Sequence, residues 1–125
     1  MTLLPAIVNL PTSADQRPAL VYLARLAPGS RRTMAEALAT IAGIIGTNQP
    51  LEALPWHELR YQHTAAIRAT LAARYSAATT NKALAALRGV LREAWQLGQM
   101  TAEDYHRAVN LPSVRGTTVP RGRAL

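Results

Sequence analysis

Two short polar clusters and one helical stripe hold the candidate reactive and ligand-binding side chains of this 125-residue chain. The first cluster is Ser30-Arg31-Arg32-Thr33, and the second is Thr79-Thr80-Asn81-Lys82. Each predicts the first turn of a helix. Free backbone N–H groups and the helix dipole favour an anion there, and hydroxyls and cations beside them suit a phosphate. Arg at a helix N-terminus is otherwise slightly unfavourable by the same dipole, and an anionic partner removes that mismatch. The stripe is Asn81, Ala85, Arg88 and Arg92, spaced i, i+4, i+7, i+11, with Ala86 and Gly89 beside it. A helix with short side chains and projecting Arg and Asn suits the DNA major groove, where Arg can read guanine and Asn adenine. A mid-helix Gly costs about 1 kcal/mol relative to Ala, and close approach to another backbone is one use for it.

Other chemistries fail on residue type or spacing. His57-Glu58 starts like a zinc-protease motif, but the next His is His63. At about 100° per residue the two rings would point about 120° apart even on one continuous helix. Cysteine is absent, which removes thiol nucleophiles, disulfides and Cys zinc sites. Gly43 and Gly46 are not followed by the Gly-Lys-Ser/Thr of a phosphate loop. Glu103-Asp104 is explained by helix capping, and no Arg/His cluster activates any tyrosine. His106, beside Tyr105, reads as a surface or packing residue. The expectation is no enzymatic activity from this chain alone, no metal and no cofactor.

Charge supports a polyanionic partner. The chain has 14 Lys+Arg against 7 Asp+Glu, a net +7, and Lys82 is its single lysine. Such an excess is the usual electrostatic footprint of nucleic-acid binding. Ala is also abundant, and both Ala and Arg have GC-rich codons, so the placement of the cations has to decide. Leu3–Val8, interrupted by Pro5, falls far short of the about 20 apolar residues of a membrane span. No cation precedes it, so it is a poor signal peptide. A soluble cytoplasmic protein without a membrane partner is expected.

The segments that carry these residues read as helices. Pro5, Pro11 and Pro18 punctuate an N-terminal arm, residues 1–17. Pro18–Leu26 reads as a short helix ended by Pro28-Gly29. Ser30 reads as the N-cap of a second helix with the apolar stripe Met34, Leu38, Ile41 and Ile45, closed by Gly46. Pro55–Leu59 reads as one turn with Trp56 and Leu59 inward. A third helix spans about 62–74 with Ile67 and Leu71 inward. The longest runs from Ser76 to about Leu97, with Leu84, Leu87, Leu91 and Ala94 as core stripe, Trp95 at its flank and Gly98 as stop. Thr101-Ala-Glu-Asp104 fits a capping box opening a last helix through about Val109. No stretch reads as a strand. The fold expected is all-α, a compact bundle of four to five helices over residues 18–110, with 111–125 a basic interdomain linker or tail.

In this order the segments resemble the N-terminal, SAM-like core-binding domain of tyrosine recombinases, the phage-integrase family. The resemblance covers roughly residues 18–110. Its most specific part is Thr80-Asn81-Lys82-Ala-Leu84…Leu87-Arg88-Gly-Val-Leu91, similar to the family's T-x-N-R-x-L-x-x-L-R helix, with Lys82 for the usual Arg. The resemblance implies one jaw of a clamp around duplex DNA, with the second and fourth helices facing the major groove. It implies a separate C-terminal catalytic domain, for which no positions here match, and possible homo-oligomers on DNA.

The leading expectation is thus a double-stranded-DNA-binding module of a site-specific recombinase acting in DNA integration or recombination. Ser30, Arg31, Arg32, Thr33, Thr79, Thr80, Asn81, Lys82, Arg88, Arg92, Arg121 and Arg123 are its candidate contacts. Arg31→Ala and Arg88→Ala are expected to weaken binding with little change in melting temperature. The alternative is a helical protein-interaction or adaptor domain with a basic surface, whose apolar arm Leu3–Leu10 docks on a partner.

Overall fold

The computed structural model describes residues 14–46 and 49–116. Within them five α-helices follow in order: α1 (Pro18–Ala24), α2 (Pro28–Ile45), α3 (Tyr61–Arg74), α4 (Ala77–Gln96) and α5 (Ala102–Ala108). Single 3₁₀ turns lie at Ala14–Gln16, Leu51–Ala53 and Trp56–Glu58, and the described residues contain no strand. The expected all-α bundle is what the chain forms. None of these helices is long and apolar enough to cross a membrane.

The core is built around α4. Helices α1, α2, α3 and α5 and the Trp56 turn all pack on it. The expected stripe Leu84, Leu87, Leu91 and Ala94 is buried, and so are Ala83, Ala86 and Val90 on the adjoining side. Helix α2 contributes Leu38 and Ile41, and α3 contributes Ile67 and Leu71. Met34 is only partly covered, and Ile45, at the end of the α2 stripe, is 40% exposed. Two threonines are fully buried, and each is satisfied. Thr64 Oγ1 donates to the Ala108 carbonyl at 2.7 Å, tying α3 to α5, and Thr80 Oγ1 donates to the Leu71 carbonyl at 3.1 Å. A buried hydroxyl needs such a partner.

Punctuation residues behave mostly as their chemistry dictates. Ser76 Oγ accepts from the Thr79 N–H at 3.1 Å, and Thr101 Oγ1 accepts from the Asp104 N–H at 3.0 Å. The Asp104 carboxylate pairs with Arg60 Nη2 at 3.4 Å. Gly46 and Gly98 take φ of 84° and 79°, the left-handed conformation glycine adopts without penalty. The boundary near Pro28 differs from the sequence expectation. Helix α1 stops at Ala24, and α2 begins at Pro28, with Ala27 as an extended N-cap that has no side-chain bond. Ser30 is therefore inside the first turn and is not the cap. Proline is pre-organised for the first helical position, and it pushes the preceding residue into the extended region, so it starts α2 better than it stops α1.

Gly89 has a different use from the one its position suggested. The ring of Tyr22 on α1 lies directly over it, so a Cβ there would stand 2.2 Å from Tyr22 Cε1 and 2.7 Å from Cδ1. The close approach is between two helices of the core. Burial of this tyrosine also raises its phenol pKa above the ordinary value of 10.0. Gly89→Ala is expected to destabilise the fold by about 1–3 kcal/mol, because overpacking outweighs the better helix propensity. In a Tyr22→Ala background the same change should become stabilising by about 1 kcal/mol. Urea denaturation of the four variants measures the reversal, and equal effects in both backgrounds would contradict this packing.

Candidate nucleic-acid interface

The first turns of α2 and α4 come together. Gly29, Ser30, Thr33 and Met34 line an open groove with Lys82, and Thr33 and Lys82 also line a neighbouring groove with Glu36, Thr40 and Thr79. Thr33 Oγ1 donates back to the Gly29 carbonyl at 3.4 Å, and Thr79 Oγ1 is 3.1 Å from Ser76 Oγ. Arg32 projects into solvent with its side chain 87% exposed, and its Nε is 3.9 Å from Glu36. Glu36 is the only carboxylate among the residues lining the two grooves. Lys82 and Arg92 are exposed and make no ion pair among the described residues. Both lie on the narrow wedge of α4 that its neighbours leave uncovered, together with Ala78, Ala85 and Gln96. These residues recur at helical spacing, so they share one side.

Other candidate contacts serve the fold itself. Arg31 Nε and Nη2 donate to the carbonyls of Leu23 and Leu26 at 2.9 and 2.8 Å, closing the C-terminal end of α1. Thr80 is fully buried and faces no solvent. Asn81 exchanges two hydrogen bonds with the backbone of Val114: its Nδ2 donates to the carbonyl at 2.9 Å, and its Oδ1 accepts from the N–H at 2.8 Å. Arg88 donates through Nε to the Val109 carbonyl at 3.4 Å and through Nη2 to the Leu111 carbonyl. The expected stripe Asn81–Arg88–Arg92 is thus divided, with its first two members beneath the C-terminal segment. Arg121 and Arg123 lie outside the described residues, as do residues 1–13 of the arm.

Sequence reasoning missed Arg68 of α3. Its Nε donates to the Pro112 carbonyl at 2.8 Å and its Nη2 to the Ser113 carbonyl at 3.3 Å. Residues 111–114, read as the start of a linker, are held together with Val109 by Arg68, Asn81 and Arg88, and Leu111 is buried. Arg60 adds another such clamp, its Nη1 donating to the carbonyls of His57 and Leu59. The planar guanidinium fork suits this work better than an ammonium does. Part of the arginine excess is therefore structural, yet bonds to neutral carbonyls leave the charges of Arg68 and Arg88 in place, while Arg60 also pairs with Asp104.

The histidines are accounted for locally. His63 Nδ1 accepts from the Arg60 N–H at 2.9 Å at the start of α3, while His57 belongs to the preceding turn. Tyr105 stacks on Trp95 at 4.9 Å, and His106 tilts against both rings. One carboxylate is buried. Glu93 on α4 pairs with Arg25 at the end of α1, a contact that no spacing along the chain foretells.

No family model, curated protein or solved structure matches the chain.

Proposed function

We propose that this chain is a DNA-binding module of a site-specific recombinase, resembling the core-binding domain of tyrosine recombinases. It would act in the cytoplasm and hold duplex DNA mainly through phosphates. The reading is carried by one observation: Ser30 and Thr33 of α2 stand beside Thr79 and Lys82 of α4, with Arg92 further along the same uncovered wedge. Two helix starts, hydroxyls and unpaired cations on one side fit a phosphate backbone. The net +7 supplies the attraction. The strand-transfer chemistry of such recombinases belongs to a separate catalytic domain, which this proposal places outside these residues. No catalytic role is assigned to this chain, and oligomers would form on the DNA.

A module of this kind buries roughly 600–1,000 Å² on DNA, so binding should be weak and salt-sensitive. Fluorescence anisotropy with a labelled duplex at low and high salt is the test. Lys82→Ala and Arg92→Ala should each lower affinity and reduce the salt slope by about 1, with an unchanged melting temperature. These exposed, unpaired cations replace Arg31 and Arg88 as informative substitutions, because the latter two hold the fold. Flat anisotropy at low salt would sink the reading. That result would favour the protein-interaction alternative, which has one observation on its side: Ile45 stands exposed at an apolar cleft with Leu54, Pro55, Trp56 and Leu59.

A further inference from the structure

The C-terminal segment lies across donors that a nucleic acid could use. Arg68 from α3 and Asn81 and Arg88 from α4 converge on residues 109–114, and the groups they hold there are all main-chain. Neither guanidinium has a carboxylate partner among the described residues. Two like charges therefore share one patch beneath a neutral cover. Along the segment Leu111 is the buried anchor; Val109 packs half-covered against the core, Val114 is half-covered, and Pro112 and Ser113 are exposed. Arg115, next in the chain, is exposed and makes no ion pair among the described residues, so it adds a further cation beside the segment.

A guanidinium bonds a phosphate more strongly than a carbonyl, because both partners are then ionised. We propose that residues 109–114 form a displaceable strap. A phosphodiester backbone takes over Arg68 and Arg88, the segment lifts, and Asn81 becomes free to reach a base edge. The inference rests on the DNA-binding reading and adds a conformational step to it. Lys82 and Arg92 provide the first encounter on the open wedge, and the strap opens second. Arg88 and Asn81 would then serve both states, closing the fold in the free protein and holding DNA in the complex.

Amide hydrogen exchange of the full chain, with and without a saturating duplex, tests this. The Val114 N–H, bonded to Asn81 Oδ1 in the free protein, should exchange at least about tenfold faster in the complex, since a lost hydrogen bond opens the amide to solvent. Leu111→Ala weakens the anchor and leaves every donor intact, so it should bind the duplex several-fold more tightly. If that variant does not fold, exchange on the wild-type protein still decides. Protection at Val114 that persists in a complex proven by anisotropy would overturn the strap and leave the DNA reading standing. An anisotropy that never rises removes both.

Discussion

Trp56→Ala is expected to remove about 3–5 kcal/mol of stability, the cost of emptying a large buried aromatic site. The side chain is 1% exposed, and its Nε1 donates to the Leu51 carbonyl at 2.7 Å. It stands in a single 3₁₀ turn between α2 and α3, and that turn packs on α4. The indole thus fills the core and also fixes the long connection that carries the chain to α3. Removal leaves a cavity and a carbonyl without its donor. Domains of this size are stable by about 5–15 kcal/mol, so much of the margin would go. At roughly 4–8 °C per kcal/mol, the melting temperature should fall by well over 10 °C. Trp56→Phe keeps most of the volume and loses the hydrogen bond, and should cost less than half as much. Thermal and urea denaturation measure both; an alanine variant within 1 kcal/mol of wild type would show that this connection does not contribute to the core.

Arg88→Ala is the second large effect, and here the structure reverses the sequence expectation. The sequence placed Arg88 on a solvent-facing stripe, which predicted an unchanged melting temperature. Its guanidinium instead holds the carbonyls of Val109 and Leu111. Hydrogen bonds from charged donors contribute about 1.5–3 kcal/mol, and the cost extends to whatever the segment loses when it loosens. A drop of about 2 kcal/mol is expected, visible as a lower urea midpoint. Arg88→Lys should recover only part of it, because an ammonium cannot span two carbonyls as a fork does. Arg31→Ala should follow in the same direction with a smaller loss, since its bonds close an exposed helix end. Lys82→Ala provides the contrast: a change of charge with no carbonyl or carboxylate left behind.

The helices themselves were legible in the sequence. Leu84, Leu87, Leu91 and Ala94 share a side at helical spacing, and burial of that side is what makes a helix stable in a protein. Ser76, Thr101, Gly46 and Gly98 mark ends through local chemistry that needs no distant partner. Pro28 misled because the same ring can follow one helix or start the next, and Pro–Gly punctuation alone does not choose. The candidate interface was legible in part. Short-range logic places hydroxyls and cations in the first turns of α2 and α4, but it does not say that the two turns are neighbours.

Periodicity and local chemistry along the chain therefore account for the helical fold, its apolar stripes, its caps, and a positive charge that no fold can remove. Which cations are held by carbonyls and which stand in solvent depends on how the helices pack. Arg68 and Asn81 find their partners more than thirty residues away and Arg88 about twenty, while Gly89 takes the ring of Tyr22 from another helix. A guanidinium looks the same in sequence whether it meets water, a carbonyl or a phosphate. Its role depends on which unpaired acceptor the packed chain brings within about 3 Å, and spacing along one helix does not carry that information.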